Sequence, residues 1–174
     1  MTEKNVFPFW NFVLKQGLIY GLITIVIFTI FDLTGLSQTS VAWFGFLVPL
    51  VVLYVGMQER KKMQEGFLTT SEGFFTGFST GMIGSAVSNI FTIAYYHVLL
   101  PERKQNMLNL ARKQIEEKYP DMSDKDIDFA VSYSEYAFQP HILLLLGLLM
   151  SLIISSIIAG ILAAILQKEK NPFE

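Results

Sequence analysis

Four long stretches of this chain carry no Asp, Glu, Lys or Arg: residues 17–31, 33–58, 73–100 and 141–167. Charged residues make up only 16% of the 174-residue sequence, against about a quarter in soluble domains. A buried helix can be apolar all round, but a chain this short cannot enclose four of them in a water-soluble core. The stretches are therefore read as segments that meet lipid. Mean hydropathy is +0.43, which argues against a soluble enzyme or a disordered tail. The net charge of −2, with no basic patch, excludes a nucleic-acid partner as a class.

A hydrocarbon layer about 30 Å thick needs roughly 20 apolar helical residues. The expected fold is an all-α polytopic membrane protein, one membrane domain over 1–174 with four transmembrane helices at about 17–36, 41–57, 74–100 and 142–166. Asp32 must sit at the outer edge of the first span. The second is short and contains Pro49, and the third is long enough that it must tilt or protrude. The fourth opens on the run from Ile142 to Leu146. The first span is expected to stay as an anchor. Its apolar stretch exceeds that of a signal peptide, and Phe31-Asp32-Leu33-Thr34 is no cleavage pattern.

Orientation follows from Lys and Arg. Lys4, Lys15, Arg60, Lys61, Lys62, Lys168 and Lys170 fall on one side of an even-numbered bundle. That side is expected to be the cytoplasm, with both termini in it. The connection 101–140 holds six Lys or Arg and eight acids, and Arg103 and Lys104 pull against this assignment. Trp10 with Phe7, Phe9 and Phe12, Trp43 with Phe44, and Tyr95-Tyr96 stand near span ends, where amphipathic rings favour the headgroup zone. The lack of Cys says only that no disulfide is present.

Lipid removes most of the hydrophobic drive between helices, so small residues that admit close approach mark contact faces. The third span shows Gly73, Gly77, Gly81, Ser85 and Asn89, each four apart, with Gly84 and Ser88 beside them. The fourth repeats the spacing in Gly147, Ser151, Ser155, Ala159 and Ala163, extended by Gly160 and Ala164. Gly17 and Gly21 give the first span one G-x-x-x-G. These faces are read as the bundle core or, alternatively, as a homo-oligomeric seam. The third span, rich in Thr, Ser and Asn, is expected to be the central helix.

Between the last two spans, residues 101–140 read as an extramembrane helical hairpin. Leu108, Ala111 and Ile115 share one face of its first helix, and Pro120 breaks it. Ser123 with Asp126 resembles a capping box that opens a second helix bearing Ile127, Ala130, Val131 and Ser134. The hairpin either only bridges two spans or forms a docking surface.

No nucleotide-binding glycine loop, nucleophile elbow, H-E-x-x-H motif or Cys ligand occurs. His97 and His141 flank the outer face, with Asp32, Glu102 and Glu135 near. Two His and a carboxylate can hold zinc or sense protons, but interfacial His commonly do neither. No catalytic, cofactor or metal residue is assigned.

Gly66-Phe67-Leu68-Thr69, then Glu72-Gly73-Phe74-Phe75-Thr76-Gly77, lead into a Gly- and Ser-rich span ending in Tyr95-Tyr96 and Pro101. With Arg60-Lys61-Lys62, Met122 to Asp126 and the apolar closing helix, the chain resembles the four-helix membrane family termed domain of unknown function 4199, found mainly in Bacteroidota. The resemblance implies a bacterial inner-membrane location and no substrate, cofactor or catalytic residue. The expectation is an interaction or assembly component of the envelope, not an enzyme. Its partners would be membrane lipid and a second copy or another membrane protein. A small oligomeric channel or transporter, lined by Asn89 and the hydroxyls, is the alternative.

Overall fold

The computed structural model describes residues 8–39, 44–45 and 47–168. Among the described residues six α-helices follow one another: α1 (Phe9–Thr34), α2 (Leu47–Met63), α3 (Thr70–Ala94), α4 (Pro101–Lys118), α5 (Asp124–Ala137) and α6 (Pro140–Leu166). A 3-10 turn (Leu36–Gln38) follows α1, and a π-helical turn (Tyr95–Leu99) extends α3. Among the described residues there is no strand, only an antiparallel bridge between Leu68 and Lys168.

Three helices, Phe9–Thr34, Thr70–Leu99 and Pro140–Leu166, are long and apolar enough to cross a membrane. That is the composition of a multi-pass, all-helical membrane protein. The first helix begins at Phe9, well before the expected Gly17. Pro8 precedes it with φ −54°, suited to a helix start, so Trp10 and Phe12 are helical too. Its end falls at Gly35, whose φ of 76° lets its N–H reach the Asp32 carbonyl. The second expected span differs. Helix α2 has 17 residues, and Arg60, Lys61 and Lys62 fill its last turn. The expected start of that span, with Val41 and Trp43, lies outside the described residues, as do Lys4, Phe7 and Lys170.

The chain separates into two compact units, one of Met1–Ser88 with Leu148–Glu174 and one of Asn89–Gly147. In the first, Leu53, Met57, Leu68, Leu162, Ala163 and Leu166 form the apolar core, with Phe74 and Ile158 against it. Helix α2 runs antiparallel to α1. The Arg60 guanidinium lies 5.9 Å and 5.6 Å from the ring centres of Phe9 and Phe12, and Gln16 donates to Glu59. A tight loop joins α2 to α3 through Glu65 (φ 60°) and Gly66 (φ 88°). Its far end is held twice. Leu68 and Lys168 exchange two backbone hydrogen bonds of 2.9 Å, and Lys61 Nζ donates to the Leu166 carbonyl at 2.7 Å. A cation there suits the exposed carbonyls of a helix C-terminus.

Helix α3 starts in a capping box. The Glu72 N–H donates to Thr69 Oγ1 at 3.2 Å while Thr69 N–H returns to Glu72 Oε2 at 3.1 Å.

In the second unit α4 and α5 form the hairpin. Ser123 caps α5, accepting from Asp126 N–H at 3.3 Å and donating to Asp126 Oδ2 at 2.6 Å. Leu108 and Ile127 are its buried side chains. Arg112 bridges the helices, 2.9 Å from Asp128 and 3.0 Å from Glu116; its hydrogen bond to Glu116 and then the charge of Asp128 raise it above the usual guanidinium range. These pairs are exposed and fix direction more than stability. Where α5 ends, the Phe138 ring meets Tyr96 edge-on at 5.4 Å.

Thr69→Ala removes the acceptor for an otherwise free N–H and should cost about 1 kcal/mol. Glu72→Gln, which keeps the box, should cost less. Unfolding in mixed micelles followed by circular dichroism measures both.

Candidate helix-packing site

Helices α3 and α6 meet through the small residues. In the first unit, a methyl group on Gly73 would lie 3.2 Å from the Ala163 Cβ, and one on Gly77 would lie 2.9 Å from the Ala159 Cβ. On Gly81 it would lie 2.8 Å from the Ser155 Cβ. In the second unit, one on Gly147 would lie 2.6 Å from the Asn89 Cγ. The partner advances four residues along α3 as it retreats four along α6, so the helices are antiparallel with one register. Ser85 and Ser151 are handled differently. Ser85 is hydrogen-bonded to the Tyr20 side chain on α1, and Ser151 donates to the Leu148 carbonyl at 2.9 Å within its own helix.

Gly84, which stands beside that stripe in the sequence, is turned onto α1. A methyl there would stand 2.8 Å from the Tyr20 Cγ and 2.9 Å from the Gly17 carbonyl oxygen. Reciprocally, a methyl on Gly17 would lie 2.7 Å from the Ile83 Cβ, and one on Gly21 would lie 3.0 Å from the Gly84 carbonyl oxygen. Helices α1 and α3 are thus parallel and nearly backbone-to-backbone. Gly160 faces open space and Ala164 is exposed, so neither extends the α6 ladder. Helix α3 carries two contact faces, with Gly81 and Gly84 about 60° apart around its axis. That geometry needs a helix with few large side chains.

Three groups escaped the sequence reading. Gln16 is buried on α1 and holds Glu59; its signal was an amide one residue before Gly17 of the G-x-x-x-G. The capping box Thr69 to Glu72 was legible as T-x-x-E. Arg60, counted as a topology charge, is 9% exposed and covered by aromatic rings. Asp32 is buried in the last turn of α1.

Some buried polar atoms have no partner among the described residues, including Thr76 Oγ1, Thr80 Oγ1 and Asn89 Nδ2. The two histidines part company. His97 Nε2–H donates to the Phe138 carbonyl at 2.8 Å, and His141 is exposed. Among the described residues no group of three His, Asp or Glu is gathered closely enough to hold a metal ion.

Gly84→Ala should destabilise by about 1–3 kcal/mol, since a backbone oxygen cannot rotate away. Gly77→Ala should fall in the same range. Gly160→Ala should be neutral or stabilise by up to about 1 kcal/mol, the helix-propensity difference. Unfolding midpoints of the three purified variants measure the order.

A family model described as "Protein of unknown function (DUF4199)" matches residues 15–168. No curated protein and no solved structure matches the chain. The family match takes in both small-residue ladders, the α2–α3 loop and the whole hairpin, and the chain belongs to the DUF4199 family.

Proposed function

We propose that this protein is an interaction or assembly component of the bacterial inner membrane, not an enzyme, and that the hairpin is where it meets a partner. One observation carries the reading. Phe129, Tyr133 and Tyr136, one face of α5, are 65%, 66% and 53% exposed, and Phe129 and Tyr133 pack edge-on at 5.3 Å. Exposed aromatic rows with few rotamers suit a protein interface. Helix α5 is held behind them by Arg112–Asp128 and by the buried Leu108 and Ile127. In this reading α2 and the residues before it supply a fourth span, both termini are cytoplasmic, and the hairpin is external. Mild-detergent isolation from the native membrane should yield a complex that Phe129→Ala/Tyr133→Ala/Tyr136→Ala releases while helical content is kept. A complex unchanged by that triple variant would sink the docking role. Cysteine at Asp126 should react with an impermeant thiol reagent on intact cells; labelling only after lysis would reverse the orientation.

The second reading, a small oligomeric channel or transporter, draws support from the unpaired Thr76, Thr80 and Asn89 atoms, since polar groups within a span often mark a pathway. Asn89→Leu separates the two. A conduit loses flux in liposomes and stays folded, whereas an assembly component loses stability or its complex.

A further inference from the structure

Helix α2 presents an outward stripe that changes character along its length. Leu47, Val51 and Val55 are 51%, 53% and 54% exposed and lie four residues apart, so they share one face. Continued by the same spacing, the stripe passes Tyr54 and Gln58 and reaches Glu59 and Lys62. At that end Tyr54, Val55, Gln58, Glu59 and Lys62 line an open groove of about 500 Å³. Its polar atoms are arranged. Gln58 Nε2 donates to the Tyr54 hydroxyl at 3.1 Å. The buried Gln16 on α1 donates to Glu59, which fixes one carboxylate oxygen and leaves the other available. Lys62 forms no ion pair among the described residues, although Glu59 is one helical turn away.

An unpaired cation and a held anion, side by side at the end of an apolar stripe, match a ligand with adjacent opposite charges and hydrocarbon tails. We infer that this groove binds one phosphatidylethanolamine. Lys62 takes the phosphate, Glu59 takes the primary ammonium through charge-assisted hydrogen bonds, and the acyl chains lie along Val55, Val51 and Leu47. A choline headgroup has no N–H to give Glu59. A glycerol headgroup brings no cation at all and leaves that carboxylate facing an anionic lipid. The inference rests on the membrane reading and not on the docking role of the hairpin, so loss of one leaves the other standing.

The full-length protein, purified in detergent and offered equimolar phosphatidylethanolamine, phosphatidylglycerol or phosphatidylcholine, is examined by native mass spectrometry. The expected result is one retained phosphatidylethanolamine. Lys62→Gln and Glu59→Gln should each weaken that retention about tenfold, the worth of one hydrogen bond to a charged group. Both side chains are at the surface of α2, and circular dichroism checks that its helices persist. Equal retention of the three lipids overturns the assignment, as does indifference to both substitutions. Preference for phosphatidylglycerol, lost with Lys62→Gln alone, overturns it in favour of an anionic lipid.

Discussion

Close backbone approach at α3 is the constraint from which the remaining packing follows. Apolar side chains gain little by leaving lipid for one another, so dispersion between well-fitted surfaces has to hold membrane helices together. Dispersion falls steeply with a gap of even half an ångström to one ångström. Gly73, Gly77 and Gly81 bring α6 in on one face, and Gly84 with Gly17 and Gly21 brings α1 in on another. Leu53 and Met57 of α2 fill the space between these contacts, within reach of the Gly81 and Gly77 positions respectively. Helix α3 is therefore the element around which the first unit is organised.

The ends of the helices are secured by a different kind of interaction. Backbone groups that emerge from a helix need partners, and Thr69, Glu72, Lys61 and the Leu68–Lys168 bridge supply them around one loop. The residue pattern that carries the family resemblance, Gly66 to Thr69 and then Glu72-Gly73, coincides with this arrangement. Gly66 takes the left-handed conformation, Thr69 and Glu72 cap α3, and Gly73 opens the contact with α6. The motif is thus a device for starting one helix and fastening the end of another. In the second unit His97 plays a comparable part, its ring donating to the Phe138 carbonyl where α5 ends.

Much of this was readable beforehand. Charge-free stretches mark α1, α3 and α6 because a desolvated charge is costly in lipid, and Pro101, Pro120 and Pro140 mark the hairpin because proline cannot continue a helix. The four-residue spacing of small side chains exposes the α3–α6 register. Less of the remainder was readable. The start of α1 at Phe9 was hidden because Asn11 and Lys15 dilute the apolar signal without opposing helix formation. The two faces of α3 looked like one broad stripe, since Gly84 is only three residues from Gly81. Gly160 looked like Ala159 and Ala163, and only the position of its neighbours separates them.

The sequence by itself determined that the chain is helical, carries long apolar segments and is interrupted by a charged hairpin. It offered four such segments, and among the described residues three are helices long and apolar enough to cross a membrane. These properties depend on transfer from water and on local backbone geometry, both of which belong to residue types in order along the chain. The tertiary structure alone decided which glycine meets which helix and that Gln16 orients Glu59 from across an interface. Those depend on atoms brought together from segments about 40 or more residues apart, where a shift of one residue turns a contact face by roughly 100° and no composition records it.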